Sequence, residues 1–333
     1  MRHFVYVLCL LACCQISISQ SPVVQQFHQL AQEELDIPGV ETYEHIAFNN
    51  EDWLNLWERN ARQDLEIQLG EYGAIQINLE EYDIVSPDYS TTIDGVNQPA
   101  RSTARTFRGY SSDGGDVRLT CSDQFTHGFI EFAGEEYWIE PAWYYDLKDQ
   151  KAHEIIVYKA SDVHFDNHRT CGVTEVFNKS QQLHKSAQST SRSRVGQCYT
   201  VELAIASDFS MYTKYGSSTV EVGNHNIAVM NAVNVDYTGA FDDDIEFVIV
   251  TQFYSTCNTC DPWTSSTDAT DVLPDFRQWA LAGGFQMAHD LGQFWSDRDY
   301  DGPTVGLAYV GGLCGSFRYH LVEDWNTNGE ALR

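Results

Sequence analysis

MAHDLGQFWSDRDYDGPTVGLAYVGGLC, residues 287–314, is the stretch on which the reading of this chain turns. His289-Asp290-Leu291-Gly292-Gln293 nearly spells H-E-x-x-H, the helical spacing that stacks two imidazoles one turn apart with a carboxylate between them. Gln293, a poor zinc ligand, replaces the second imidazole, and Asp290 is shorter than the usual glutamate base. Asp299 stands at the third-ligand spacing. One histidine and one aspartate hold zinc weakly and leave its water without a well-placed base. The chain as given is therefore expected neither to bind zinc stoichiometrically nor to cleave peptide bonds.

A second register accounts for more residues. His289, Asp290, Gln293, Asp301, Gly306, Leu307, Ala308, Gly311 and Cys314 fill, in order, the pattern H-D-x-x-Q, an Asp-containing turn, and G-L-A-x-x-G-x-x-C. The run resembles the secreted adamalysin/reprolysin (ADAM-type) zinc metalloproteases, in which it precedes the zinc helix. The resemblance implies an α/β, metzincin-like catalytic domain with a mixed, mainly parallel sheet, incomplete here because H-E-x-x-H-x-x-G-x-x-H is expected just past Arg333. Residues 304–310 are apolar, short and interrupted by Gly306, which suits an edge strand whose backbone is open to another chain. The resemblance makes this the strand that aligns a substrate peptide, through Gly306, Leu307, Ala308 and Tyr309. An ordinary buried strand is the plainer reading of the same residues.

Working backwards, residues 197–208 form an apolar, β-branched run in which Tyr199, Glu202, Leu203 and Asp208 follow Y-x-x-E-L-x-x-x-x-D, and Met211-Tyr212-Thr213-Lys214-Tyr215-Gly216 follows it. Both patterns resemble the opening of the same catalytic domain. Val222, Ile227, Val229, Met230 and Val233 recur at helical intervals, and residues 245–250 are an apolar strand after an Asp242-Asp243-Asp244 turn. Strand, helix, strand predicts a parallel pair. Residues 276–283 read as a short helix. The resemblance also implies a calcium site containing Glu202 and Asp290. Two carboxylates suit calcium, but a shell of six to eight oxygens needs more ligands, and either residue alone is equally an ion-pair partner. His289 taken singly reads as a hydrogen-bonded structural histidine.

The N-terminal half has a different texture. Arg2 and His3, an apolar block over residues 4–14 and Ser17-Ile18-Ser19 read as a signal peptide over residues 1–19, so the protein is expected to be secreted and extracellular. Residues 24–34 read as a helix. Alternation over residues 74–79, 117–120, 128–132 and 137–139 reads as strands, making the span 20–177 mainly β. Three of its segments, Cys121…Gly128-Phe129-Ile130, Tyr137-Trp138-Ile139-Glu140-Pro141 and His153-Glu154-Ile155 with Tyr158-Lys159, resemble the propeptide of ADAM-type proteases. At its end Arg169-Thr170-Cys171-Gly172-Val173 resembles a cysteine switch, which implies that the Cys171 thiolate occupies the zinc and keeps the enzyme latent. A disulfide is the plainer role for a secreted cysteine. Residues 178–194, rich in Ser, Gln and basic residues, read as a linker. Its Asn178-Lys179-Ser180 is a glycosylation sequon, and Arg192-Ser193-Arg194 offers a processing site after Arg194. The catalytic portion is then 195–333.

A net charge of −28 over 333 residues repels a phosphate backbone and excludes nucleic acid as a partner. Residues 195–333 carry nineteen Asp/Glu against five Lys/Arg, a solvated acidic surface or a cation-binding one. No apolar run after the signal peptide is long enough to span a bilayer. Beyond the leader six cysteines remain, Cys121, Cys171, Cys198, Cys257, Cys260 and Cys314, which in a secreted chain implies disulfides. Cys257-Asn258-Thr259-Cys260 has the spacing of half a zinc ribbon or a redox pair, with no second C-x-x-C to complete a ribbon. The expected cofactors of the complete protein are zinc and calcium, and its partners protein or peptide substrates and extracellular matrix proteins. The alternative function is a catalytically inactive, protease-like, acidic matrix protein associated with calcium.

Overall fold

Short period-two alternation dominates the first half, and it folds there into sheet. The computed structural model describes residues 23–25, 28–29, 35–57, 62–99, 104–145, 153–164, 170–171, 199–241 and 245–324. The expected signal peptide, Asn178, Arg194 and the acidic turn 242–244 lie outside them. In chain order the strands are β1 (Val23–Gln25), β2 (His28–Gln29), β3 (Glu44–Ala47), β4 (Arg62–Gln68), β5 (Ala74–Glu81), β6 (Val85–Ile93), β7 (Val96–Gln98), β8 (Arg105–Ser111), β9 (Asp116–Cys121), β10 (Thr126–Phe132), β11 (Glu135–Pro141), β12 (Glu154–Lys159), β13 (Thr170–Cys171), β14 (Tyr199–Ser207), β15 (Ile245–Tyr254), β16 (Leu291–Ser296), β17 (Thr304–Ala308) and β18 (Tyr319–Glu323). The helices are α1 (Asn50–Leu56), α2 (Phe209–Lys214), α3 (Thr219–Ala240) and α4 (Ala269–Leu281).

A ten-stranded sheet runs β1-β4-β5-β8-β9-β10-β11-β12-β3-β2, antiparallel except where β1 meets β4. The eight-stranded second sheet runs β13-β17-β18-β16-β14-β15-β6-β7. Its β14 pairs in parallel with both β15 and β16, and β16 with β18, while β17 returns antiparallel to β18. The mixed, mainly parallel sheet expected for residues 195–333 is therefore present, and so is the strand–helix–strand opening. The expected helix over residues 24–34 is not: Val23–Gln25 and His28–Gln29 are extended and pair with β4 and β3. Weak periodicity in a polar stretch yields there to long-range strand pairing.

Five layers stack in the order α1, first sheet, α3, second sheet, α4. The outer face of the first sheet buries Leu65, Ile77, Leu79, Phe107 and Val117 against Trp53 and Trp57 of α1. Its inner face meets α3, where Phe129, Trp138 and Tyr158 pack on Ala232 and Val235. The opposite side of α3 packs on Leu203, Ile205, Ile249 and Trp295 of the second sheet. Phe276 and Leu273 of α4 cover that sheet's far side on Ala204, Ala206, Phe294 and Leu321. Burying each such large side chain stabilises by about 1.5–3 kcal/mol.

A helix buried between two sheets needs no polar face. That is why α3 keeps apolar residues around most of its circumference and why the polar residues of its middle turns, Asn224, His225, Asn226, Asn231 and Asn234, are buried. Ser218 caps its start by accepting from Glu221 N at 3.2 Å. The helix expected over residues 276–283 begins earlier, at Ala269, where Asp268 accepts from Thr270 N at 2.8 Å.

Two arrangements cross the expected division of the chain: β13 joins β17, and a hairpin joins β15. The hairpin β6–β7 lies in the N-terminal span yet joins the second sheet, β6 pairing in parallel along β15 from Ile249↔Val85 to Tyr254↔Ile93. The register shifts between Ile249 and Thr251, so residues 86–89, with Pro87 among them, bulge out of the ladder where a missing N–H does no harm.

Candidate functional site

The strand picked out by the G-L-A pattern stands near the rim of the second sheet. On its inner side β17 pairs with β18 through Gly306↔Val322, Leu307↔Leu321 and Ala308↔His320. On its outer side it pairs in parallel with β13, Thr170 opposite Thr304 and Cys171 opposite Gly306. The expected open edge is not observed: β17 is the second strand from the rim, because the chain's own residues 170–171 pair along its outer side. Leu307 is buried against the α4 layer, whereas Ala308 and Tyr309 are partly exposed.

The loop after β17 is held in shape. Tyr309 meets the Phe317 ring at 5.0 Å, and the Arg277 guanidinium of α4 sits 4.1 Å over Phe317 while its Nε donates to Ser316 O at 2.6 Å. Gly312 is a steric requirement, since a Cβ there would come within 1.9 Å of Phe317 O. Gly311 turns the chain at a φ of 72°.

His289 and Gln293 do not form a zinc helix. Leu291–Ser296 is strand, so two side chains four apart do not share a helical face. His289 Nδ1 lies 2.9 Å from Met287 O and Nε2 lies 3.3 Å from the Tyr319 hydroxyl, and burial holds its pKa below the usual range. It is a hydrogen-bonded structural histidine. Among the described residues no group of three or more His, Cys, Asp or Glu is arranged to hold a metal.

Glu202 and Asp290 are neighbours. Asp290 N donates to Glu202 O at 2.8 Å, and Glu202 N donates to Asp290 Oδ2 at 3.1 Å. Asp290 Oδ1 takes a weak bond from Cys314 Sγ at 3.4 Å, and Asp290 O accepts from Cys314 N at 3.0 Å. Its carboxylate ties the start of β14 to the loop after β17. Glu202 is exposed, so the described residues supply two carboxylates and main-chain oxygens, fewer than the six to eight ligands calcium takes.

The cysteines divide. Cys257 and Cys260 form a disulfide, not half a zinc ribbon. Cys314 and Cys121 are free thiols, which departs from the expectation of general pairing. Burial among the outer-face apolar residues of the first sheet pushes Cys121 up to about 12 and makes it a packing residue. Of Cys171 only the backbone is described, and Cys198 lies outside the described residues.

Sequence reasoning missed a buried polar chain under α3. Tyr215, with one hydrogen to give, donates it to Asp324 Oδ2 at 2.7 Å. Its oxygen then accepts from His225 Nε2 at 3.0 Å, which leaves Nδ1 to accept the Tyr144 hydroxyl at 3.0 Å. The order Tyr144→His225→Tyr215→Asp324 fixes a neutral imidazole and links the N-terminal span to the end of β18.

The groups around this imidazole come from every side. Asp324 Oδ2 is 3.6 Å from Nε2, and Lys214 Nζ reaches Asp324 Oδ1 at 3.4 Å and Asp297 at 2.8 Å. His127 of β10 stands 6.4 Å away, itself 3.8 Å from Glu140, and Glu221 lies one turn back on α3. Burial, partly opposed by Asp324, lowers His225 to about 4. Burial and then His225 lower His127 to about 3. The available sequence signal was a His flanked by two Asn inside an otherwise apolar helical pattern.

Residues 197–331 match the family model Reprolysin_5, metallo-peptidase family M12. The matched span contains β14 through β18 with α2, α3 and α4, and the match supports a metalloprotease domain in the second half of the chain. Among solved structures, the chain is similar to metalloproteinase-II from Bacteroides fragilis at 11% identity, over 83% of this chain and 80% of that one, with a TM-score of 0.46. No helix is long and apolar enough to cross a membrane among the described residues.

Proposed function

We propose that the chain belongs to the precursor of a secreted, zinc-dependent endopeptidase of the adamalysin/reprolysin type, acting on proteins or peptides and held latent by residues before the 178–194 linker. The observation that carries this is the pairing of Thr170–Cys171 along β17. A sheet edge offers one row of donors and acceptors, so a substrate strand has to displace β13 before it can align. In this reading the Cys171 thiolate takes the zinc position that water needs for hydrolysis. The described residues contain no zinc-holding set, so the histidines and the glutamate base are proposed in sequence following Arg333. Cleavage after Arg194 would separate β13 from the domain it blocks.

Two measurements test this. The transcript past the Arg333 codon is expected to encode H-E-x-x-H within a short distance; a stop codon there, or a continuation without the motif, ends the endopeptidase reading. In the complete precursor Cys171→Ser is expected to unmask peptidase activity before processing. Recovery of Cys171 in a disulfide, by alkylation and mass mapping, ends the switch.

A second reading draws on the contact between Glu202 and Asp290. It makes the protein an inactive, acidic, calcium-associated component of the extracellular matrix that retains the protease fold. Calcium raising the unfolding midpoint of a complete protein that cleaves no peptide is the outcome that favours it.

A further inference from the structure

Across the first sheet, Arg62, Glu80, Arg108 and Arg118 are directly opposite neighbours on β4, β5, β8 and β9. Their side chains therefore leave the same face, the one turned toward α3. With Tyr82 and Tyr110, Asn234 and Thr238 of α3 and Glu246 of β15, they wall a cavity of about 320 Å³ between the two halves. That volume lies at the lower end of small-ligand sites, about 300–1,000 Å³.

Three features of this cavity are not accounted for by folding alone. Arg108 and Arg118 put like charges directly opposite each other, which strand pairing disfavours, although Arg118 is only 8% exposed. Arg118 Nη1 donates to Val117 O at 3.0 Å and lies 3.8 Å from Asp116. The Tyr82 hydroxyl is buried with no hydrogen-bond partner among the described residues, so it is open to a water or to a ligand oxygen. Third, in a chain of net charge −28 the lining collects three arginines against two glutamates.

The pairs of Arg108 and Arg62 do not use up their guanidinium groups. Arg108 Nε holds Glu80 at 3.0 Å and its plane lies 4.2 Å over the Tyr82 ring, but Glu246 is 3.8 Å away, beyond hydrogen-bond reach. Arg62 makes its one described hydrogen bond to Asn78 at 2.6 Å. Burial raises the Glu246 pKa, which makes that carboxylate the easier one to neutralise.

We infer that the cavity is a binding site for a small ring compound carrying a tetrahedral oxyanion, a sulfate or phosphate ester. Facing guanidinium forks match several oxygens at once, a demand a tetrahedral group meets better than the two oxygens of a carboxylate. The buried Tyr82 hydroxyl adds a neutral donor. Tyr110, 56% exposed, offers a ring face to the body of the ligand. A ligand seated there touches both halves, and its binding does not depend on whether the second half is a protease.

The test is thermal unfolding of the full chain in sulfate, phosphate and a monosaccharide sulfate, each against sodium chloride of equal ionic strength. At roughly ten times the dissociation constant the midpoint is expected to rise by about 2–4 °C over chloride. Arg118→Gln is expected to abolish that rise and to leave the ligand-free midpoint unchanged or higher, because it removes one of two facing like charges. Arg62→Gln, at a surface position with one hydrogen bond, is expected to weaken the rise without unfolding the chain; Lys159→Gln, on β12 and outside the cavity, is expected to keep it. A larger shift from the sugar ester assigns the ring a share of the binding, and equal shifts assign it to the anion alone; both support the site. No shift beyond chloride with any of the three, together with an Arg118→Gln midpoint well below wild type, would make the row a purely structural ion-pair ladder and overturn the proposal.

Discussion

Strands from the N-terminal half close both rims of the second sheet, and the two closures differ in kind. At β15 the closing strand is β6, partnered from Val85 to Ile93, backed by β7 and tied by side chains: Ser90 to Thr251 at 3.3 Å and Tyr89 to Tyr254 at 3.5 Å. At β17 it is β13, two residues long, with a shifted register and, among the described residues, nothing paired beyond it. The first is a clamp that folding builds in. The second is a light cover on the strand to which the family resemblance gives the substrate. Attachment of the N-terminal half is thus separated from obstruction of the rim, so the cover can lift while the clamp holds.

The largest expected effect comes from acid, through the buried chain that is a second tie between the N-terminal half and the second sheet. Folding holds His225 neutral, so as pH falls below about 6.5 the unfolded chain takes up the proton first and stability drops. The drop continues until the folded-state value of about 4 is passed, below which both states are protonated. For His225 alone the loss is on the order of 3 kcal/mol, and His127, lowered by burial in the same sense, adds to it. Urea midpoints across this window should fall steeply for wild type and less steeply for His225→Gln. Equal slopes would mean that the imidazole is not held neutral between Tyr144 and Tyr215.

Next is a direct strike on the clamp. Thr92 is buried in β6 with β15 on one side and β7 on the other, so proline there removes a ladder donor and forces the strand apart. Thr92→Pro is expected to lower stability by about 2–3 kcal/mol. A loss under about 0.5 kcal/mol, the scale of a surface substitution, would reduce the clamp to an incidental contact.

Neither the clamp nor the buried chain was legible in the sequence, and the reasons are physical. Strand β5 announces itself because alternate residues meet the core, and β9, β10 and β11 because their short β-rich runs are buried on both faces. The parallel opening, β14–α3–β15, announces itself because apolar strands flank a helical spacing. For β6, which contains Pro87 and alternates poorly, nothing local says which sheet it joins, since its partner is a strand in the other half. His225 is a member of a site only because Tyr144, Tyr215 and Asp324 converge on it from three separate segments. The strand character of β17, by contrast, was written in its own apolar residues, although not its place one strand in from the rim. Its cover by Thr170–Cys171 was not foreseen, since the resemblance placed Cys171 on the zinc and said nothing of strand pairing.

Tyr144→Phe probes the join between the clamp side and the buried chain with a smaller change. It deletes the hydroxyl that Nδ1 of His225 accepts and leaves a buried acceptor unmet, a loss of about 1–2 kcal/mol. The measured loss should shrink at acid pH, where a protonated Nδ1 no longer needs a donor. A loss near zero would assign Tyr144 to packing alone, through its ring contacts with Trp143 and Tyr215, which phenylalanine keeps.

The smallest stability effect is expected where the proposed function is most exposed. Thr170→Pro disturbs β13, a two-residue strand on an outer edge, where little backbone pairing is available to lose. Its stability should stay within about 0.5 kcal/mol of wild type, against the several-fold larger loss for Thr92→Pro. Displacing β13 nonetheless frees the outer donors and acceptors of β17, so an extended peptide should gain access to that edge. Fluorescence anisotropy of a labelled β-strand peptide, added in trans to wild type and to Thr170→Pro, reads this directly. Tighter peptide binding with unchanged stability would show that the cover blocks without holding. A stability loss matching Thr92→Pro would show instead that both rims are clamps, and the separation of attachment from obstruction would fail.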